Sequence, residues 1–153
     1  MKKLLPTLLA LLLFCLALPC ASAADVTPSP QKLSVDGTDA DCDKYNIDGS
    51  NYFKLRDLAK ALKGLDYEFE VKWNAAQQRI DLTSRTAYTP VGGEQAALPA
   101  GNKAASLTNA SVYLDGKPLS LTAYSIGGNN YFKLRDLVFA LGFSVDWNAN
   151  TMT

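Results

Sequence analysis

The chain has 153 residues, with fifteen Lys and Arg balancing fifteen Asp and Glu at a formal net charge of zero. It is 48% hydrophobic and 20% charged, a composition that folds, and a neutral balance leaves no electrostatic footprint for nucleic acid. There is no histidine, which excludes Ser-His-Asp and Cys-His catalysis and every site that needs an imidazole ligand or a near-neutral base.

The first 23 residues read as an address. Lys2 and Lys3 form a positive start, Leu4 to Leu18 is apolar apart from Pro6 and Thr7, and Ala21-Ser22-Ala23 offers small residues for cleavage. This is the signal-peptide pattern, and the apolar run is shorter than the ~20 residues of a membrane-spanning helix. Cys20 admits a lipoprotein reading, which Pro19 beside it disfavours. The mature chain is then expected to be secreted or cell-wall associated, and to meet a membrane only through the signal peptide. Thirteen basic and fifteen acidic residues give it a net charge of −2, and Cys42 is its one cysteine. An internal disulfide is therefore impossible.

Residues 24–32 form a short linker, and after it the sequence repeats itself. YNIDGSNYFKLRDLAKAL from Tyr45 to Leu62 matches YSIGGNNYFKLRDLVFAL from Tyr124 to Leu141 at 13 of 18 positions, offset by 79. Asp36-Gly37 and Asp115-Gly116 share that offset, while FEVKWNA from Phe69 and FSVDWNA from Phe143 are offset by 74. The units span 33–84 and 110–153, with an Ala-, Gly- and Pro-rich linker at 85–109 in which Tyr88 to Val91 could pack locally.

Within the first unit, Leu33 and Val35 alternate in a strand that ends at Asp36-Gly37. A second strand through Tyr45 and Ile47 turns at Asp48-Gly49, a dipeptide that tolerates positive φ in tight hairpins, and Gly127-Gly128 does the same later. The period then becomes helical, with Leu55, Leu58, Ala59 and Leu62 on one face, matched by Leu134, Leu137 and Leu141. Gly64 and Gly142 sit where a left-handed cap closes a helix. Phe69, Val71 and Trp73 then alternate along a half-buried strand, and a turn leads into Arg79 to Thr83. The expected fold is α+β: two repeats of a small antiparallel β-sheet packed on one helix, β-β-(β)-α-β-β. The second repeat lacks its last strand, because Thr153 aligns one position before the counterpart of Ile80. A chain that continues, or a second unit that frays and pairs with another molecule, is expected to follow.

These motifs, YFKLRDL twice and the spaced VKWNA and VDWNA, resemble the copper amine oxidase N-terminal-like, or stalk, domain family. Its domains are frequent in exported proteins of Gram-positive bacteria. The resemblance implies an antiparallel sheet wrapped on a helix and a non-catalytic role, as a stalk, spacer or protein-interaction module of the cell envelope. The oxidase's copper and quinone belong to a separate domain. No catalytic residue carries over, and no enzyme activity, cofactor or metal is expected.

Five further features have a bland reading beside a sharp one. Asp36, Asp39, Asp41 and Asp43 begin like a calcium loop, but Lys44 replaces the required Gly and Ser50 the bidentate Glu, so a solvated connection is the plainer role. Arg56-Asp57 and Arg135-Asp136 fall in the first helical turn, where Asp complements the helix terminus and Arg can bond strand carbonyls. Cys42 has acidic neighbours that oppose a reactive thiolate, and Ser29 to Lys32 matches Ser-x-x-Lys without that motif's partners. Tyr52, Tyr131, Trp73 and Trp147 are the candidate ligand contacts. As strand aromatics they belong to the core, Trp73 in phase with Phe69 and Val71; exposed, they would stack on glycans. A cell-wall component or another exported protein is the expected partner, with carbohydrate or peptidoglycan binding as the alternative function.

Overall fold

The computed structural model describes residues 26–96, 103–108 and 110–146. The signal-like segment, Trp147 and the expected truncation of the second unit lie outside the described residues.

Strands β1 (Val26–Pro28), β2 (Leu33–Val35), β3 (Thr38–Ala40), β4 (Lys44–Ile47) and β5 (Ser50–Lys54) lead into helix α1 (Leu55–Ala61). β6 (Phe69–Asn74) and β7 (Arg79–Ser84) follow, then β8 (Ser106–Leu107), β9 (Ser111–Leu114), β10 (Lys117–Leu119), β11 (Ala123–Ile126) and β12 (Asn129–Lys133). Helix α2 (Leu134–Ala140) is the last described element. The α+β class is as expected, and so are the hairpin turns. Asp48 and Gly49 take φ of 48° and 78°, the paired positive values of a type I′ turn, whose twist matches that of the strands it joins.

The sheets are shared between the two units. A six-stranded sheet runs β1-β4-β5-β12-β11-β8, and a four-stranded one runs β10-β9-β7-β6. β2 and β3 stand as a separate pair. At the centre of the large sheet Phe53 is opposite Phe132, its own counterpart at offset 79, while Lys54 meets Tyr131 and Tyr52 meets Lys133. An approximate twofold axis therefore passes between the two phenylalanines, exchanging β4 with β11 and β5 with β12. A repeat explains local units, but it does not reveal that an edge strand such as β5 hides its free backbone groups against the twin edge of β12.

Both helices pack on this sheet. Leu55, Leu58, Ala59 and Leu62 are buried as expected, and they join Phe69, Val71, Ile80 and Leu82 in the main core. Of the corresponding residues on α2, Leu137 is buried, but Leu134 and Leu141 are only half-buried. That corrects the expectation of an equal helical face. The physical reason lies in the flank: α1 is covered by the β6–β7 hairpin, whereas Phe143 to Asp146 forms no strand and nothing among the described residues takes the place of β7.

The linker also folds in part. Tyr88 is 1% exposed and belongs to the main core. Its hydroxyl donates to Glu94 at 2.7 Å, and the backbone N–H groups of Val91 and Gly92 donate to the same carboxylate at 2.7 and 3.0 Å.

Candidate interaction surfaces

The two Arg-Asp pairs, identical in sequence, have different surroundings. Asp57 is fully buried and accepts from the backbone N–H of Asp43 at 2.9 Å and of Gln95 at 2.8 Å. Lys54, also buried, stands 3.4 Å from its carboxylate and donates to the Gly93 carbonyl at 2.8 Å. Arg56 reaches the Val71 carbonyl at 3.5 Å and the Tyr88 hydroxyl at 3.3 Å, the strand bond its position suggested. Together these residues pin the 88–95 loop to the start of α1. Arg135 and Asp136 are instead exposed. The pair is a structural clamp in the first unit and surface charge in the second.

Burial of charge elsewhere in this clamp is offset by hydrogen bonds. Burial alone would raise the Glu70 carboxyl, but hydrogen bonds from Thr89 and Val71 hold it below its usual range. The Tyr88 hydroxyl and the Val91 amide bring Glu94 down to about 2. Tyr88 itself is pushed up to about 12, chiefly by burial.

The candidate aromatic contacts separate. Tyr52 is buried, with its ring edge-to-face against Tyr124 at 5.1 Å, and Tyr131 is fully buried against Tyr45 at 5.4 Å. The Tyr131 hydroxyl donates to Asp43 at 2.6 Å, and its pKa is raised, first by burial and then by that bond. These two rings pack the sheet and present no stacking face. Trp73 reverses its expected core place: it is 47% exposed, although its cross-strand partner Ile80 is 3% exposed. β7 has β9 beyond it, whereas among the described residues β6 is the outer strand of its sheet. Trp147 lies outside the described residues.

Among the acidic residues, Asp36 accepts from the Tyr67 hydroxyl at 3.1 and 3.2 Å, Asp39 stands 3.9 Å from Lys32, and Asp43 holds Tyr131. They do not converge. Among the described residues no group of three or more His, Cys, Asp or Glu side chains is placed to hold a metal ion. Cys42 is 2% exposed, and burial first, then Asp57, pushes its thiol up to about 12. A buried thiol of that pKa is neither a nucleophile nor open to pairing with another chain.

Two features were not legible in the sequence. Phe139, in the position of Lys60, is 83% exposed on α2. A groove of about 1150 Å³ opens between the β2–β3 pair and α2. Leu33, Val35, Leu134, Val138, Phe143 and Val145 line it, and Asp36, Asp39, Lys133, Arg135 and Asp146 stand around them. Among the described residues no helix is long and apolar enough to cross a membrane.

No curated protein and no solved structure matches the chain. The sequence profile of the copper amine oxidase N-terminal domain, a non-catalytic, stalk-like module, matches residues 34–153, which takes in both units and the segment between them. On that match, the chain belongs to the copper amine oxidase N-terminal domain family.

Proposed function

We propose that this protein is a non-catalytic module of the cell exterior, which loses residues 1–23 on export and serves as a stalk, spacer or protein-interaction domain. The family match carries the reading, because the matched domain is stalk-like. The absence of histidine throughout the sequence supports it, since the oxidase chemistry in the family's name needs imidazole ligands that this chain cannot supply. The partner is a cell-wall component or another exported protein. Expression with the native leader, followed by fractionation and N-terminal sequencing, tests export: a mature protein that begins at Ala24 and leaves the cytoplasm is expected. Full-length protein retained in the cytoplasm would refute it.

Carbohydrate binding is the second reading, and the exposure of Trp73 favours it. A ring open on one face at a strand end can stack on a sugar. Sedimentation with purified peptidoglycan, comparing the native chain with Trp73→Ala, decides. Loss of co-sedimentation in the variant alone supports glycan contact, and equal behaviour of the two removes it.

A further inference from the structure

The seam between the two units is self-complementary. β5 and β12 meet through the same tripeptide, Tyr52-Phe53-Lys54 and Tyr131-Phe132-Lys133, so that Lys54 faces Tyr131, Phe53 faces Phe132 and Tyr52 faces Lys133. A second β5 in the place of β12 regenerates each pair: Lys54 with Tyr52, Phe53 with Phe53 on the axis, and Tyr52 with Lys54. The ring contacts across the seam behave alike. Tyr45 lies edge-to-face against Tyr131 at 5.4 Å, and Tyr52 against Tyr124 at 5.1 Å. At offset 79 both become one pair, Tyr45 of one unit with Tyr52 of its likeness. An interface in which residue i meets j and j meets i is what a twofold dimer requires.

One contact breaks the symmetry, and it favours the first unit. The Tyr131 hydroxyl donates to Asp43 at 2.6 Å, but the counterpart of Asp43 in the second unit is Thr122. Two copies of unit 1 would make this bond twice, from Tyr52 of each to Asp43 of the other, whereas two copies of unit 2 would lack the carboxylate. Hydrogen bonds to an ionised acceptor are about twice as strong as neutral ones. The other contact between the units is matched in kind. Val112, Leu114 and Asp115, which meet Ile80, Leu82 and Ser84, correspond at offset 79 to Leu33, Val35 and Asp36 of unit 1.

We propose that unit 1 is a self-recognition module, which pairs through β5 with unit 1 of a second copy of this chain. Unit 1 folds only against a partner, and it has two of them: unit 2 of its own chain and its likeness on another. The linker decides between them. It presents unit 2 at an effective concentration on the order of 1 mM, so the closed monomer holds in dilute solution. The paired form arises where copies are crowded or where unit 2 gives up the seam. This inference deepens the interaction-module reading and rests on it for a protein partner. It does not depend on export, so failure of the test below would leave the fractionation result standing.

The test makes one change on either side of the axis, in the full chain. Phe132→Glu disables β12 and frees β5, and Phe53→Glu disables β5 itself. Light scattering over a dilution series should give a monomer for the native chain, a doubled mass for Phe132→Glu and no dimer for Phe53→Glu. Asp43→Asn added to Phe132→Glu should weaken the dimer about twentyfold, because two charged hydrogen bonds become neutral ones. Dimers from both glutamate variants, or from neither, overturn the proposal, and so does a dimer indifferent to Asp43→Asn. A second readout avoids the buried glutamates. Phe53→Cys places a thiol opposite itself only in the β5 pair, since in the closed chain it faces Phe132. Oxidised glutathione should yield a covalent dimer from Phe53→Cys and not from Phe132→Cys. Equal cross-linking of the two, or none in either, overturns the pairing.

Discussion

At the scale of single residues, identity of sequence does not mean identity of role. Asp57 and Asp136 occupy the same helical turn, yet only Asp57 is enclosed, with Lys54 beside it and two amides donating to it. Asp57→Asn strips the buried Lys54 of its counter-charge, and breaking such a pair costs about 3–5 kcal/mol. Asp136→Asn, on the surface, should stay within about 0.5 kcal/mol. Urea denaturation of the two variants should therefore differ widely, and equal losses would contradict the clamp. Glu94 provides a pH test. Its folded pKa lies near 2, below its ordinary 4.5, so its stabilisation is complete above 4.5 and disappears as pH falls towards 2. The native protein should lose melting temperature through that window. Glu94→Gln should lose less, with Glu70 and Asp115, also lowered, supplying the remaining slope.

At the scale of elements, each helix is as stable as what lies across it. Seven-residue helices such as α1 and α2 are too short to hold alone, so tertiary packing decides them. Leu58 is 1% exposed beneath β5 and β6, and Leu58→Ala should cost on the order of 2–5 kcal/mol. Leu134→Ala, on the groove wall, should cost about 1 kcal/mol, since its side chain is half-buried and leaves a smaller void. Chemical denaturation reads both. A loss below about 0.5 kcal/mol for Leu58→Ala would mean that the helix faces elsewhere. Among the described residues Phe143 to Asp146 have no strand beside them, and the period-two pattern only states which side chains would share a face.

At the scale of the whole molecule, β5 pairs with β12 and β7 with β9, so each unit completes a sheet begun by the other. The described core should therefore unfold in one transition, with far-UV and near-UV circular dichroism falling together. A fragment of residues 24–96 should not fold by itself. Independent melting of that fragment at the parent temperature would show that the shared strands add little. Calorimetry with copper should give no stoichiometric binding, because the chain has no histidine and Cys42 is buried.

The sequence by itself determined whatever depends on near neighbours. Asp-Gly and Gly-Gly dipeptides placed the turns because their backbones tolerate positive φ, and the Leu55, Leu58, Ala59 and Leu62 spacing set the helix and its inner face. The repeat showed which segments are alike, and its motifs pointed to the family. Only the tertiary structure decided how unlike those segments become. It placed Phe53 against Phe132, drew Tyr88 and Glu94 out of an apparent linker, left Trp73 open on an outer strand, and set β9 beside β7 of the other unit. These outcomes turn on which strand edges meet across about eighty residues of chain, and on what then covers each side chain. Local propensity carries no information about either.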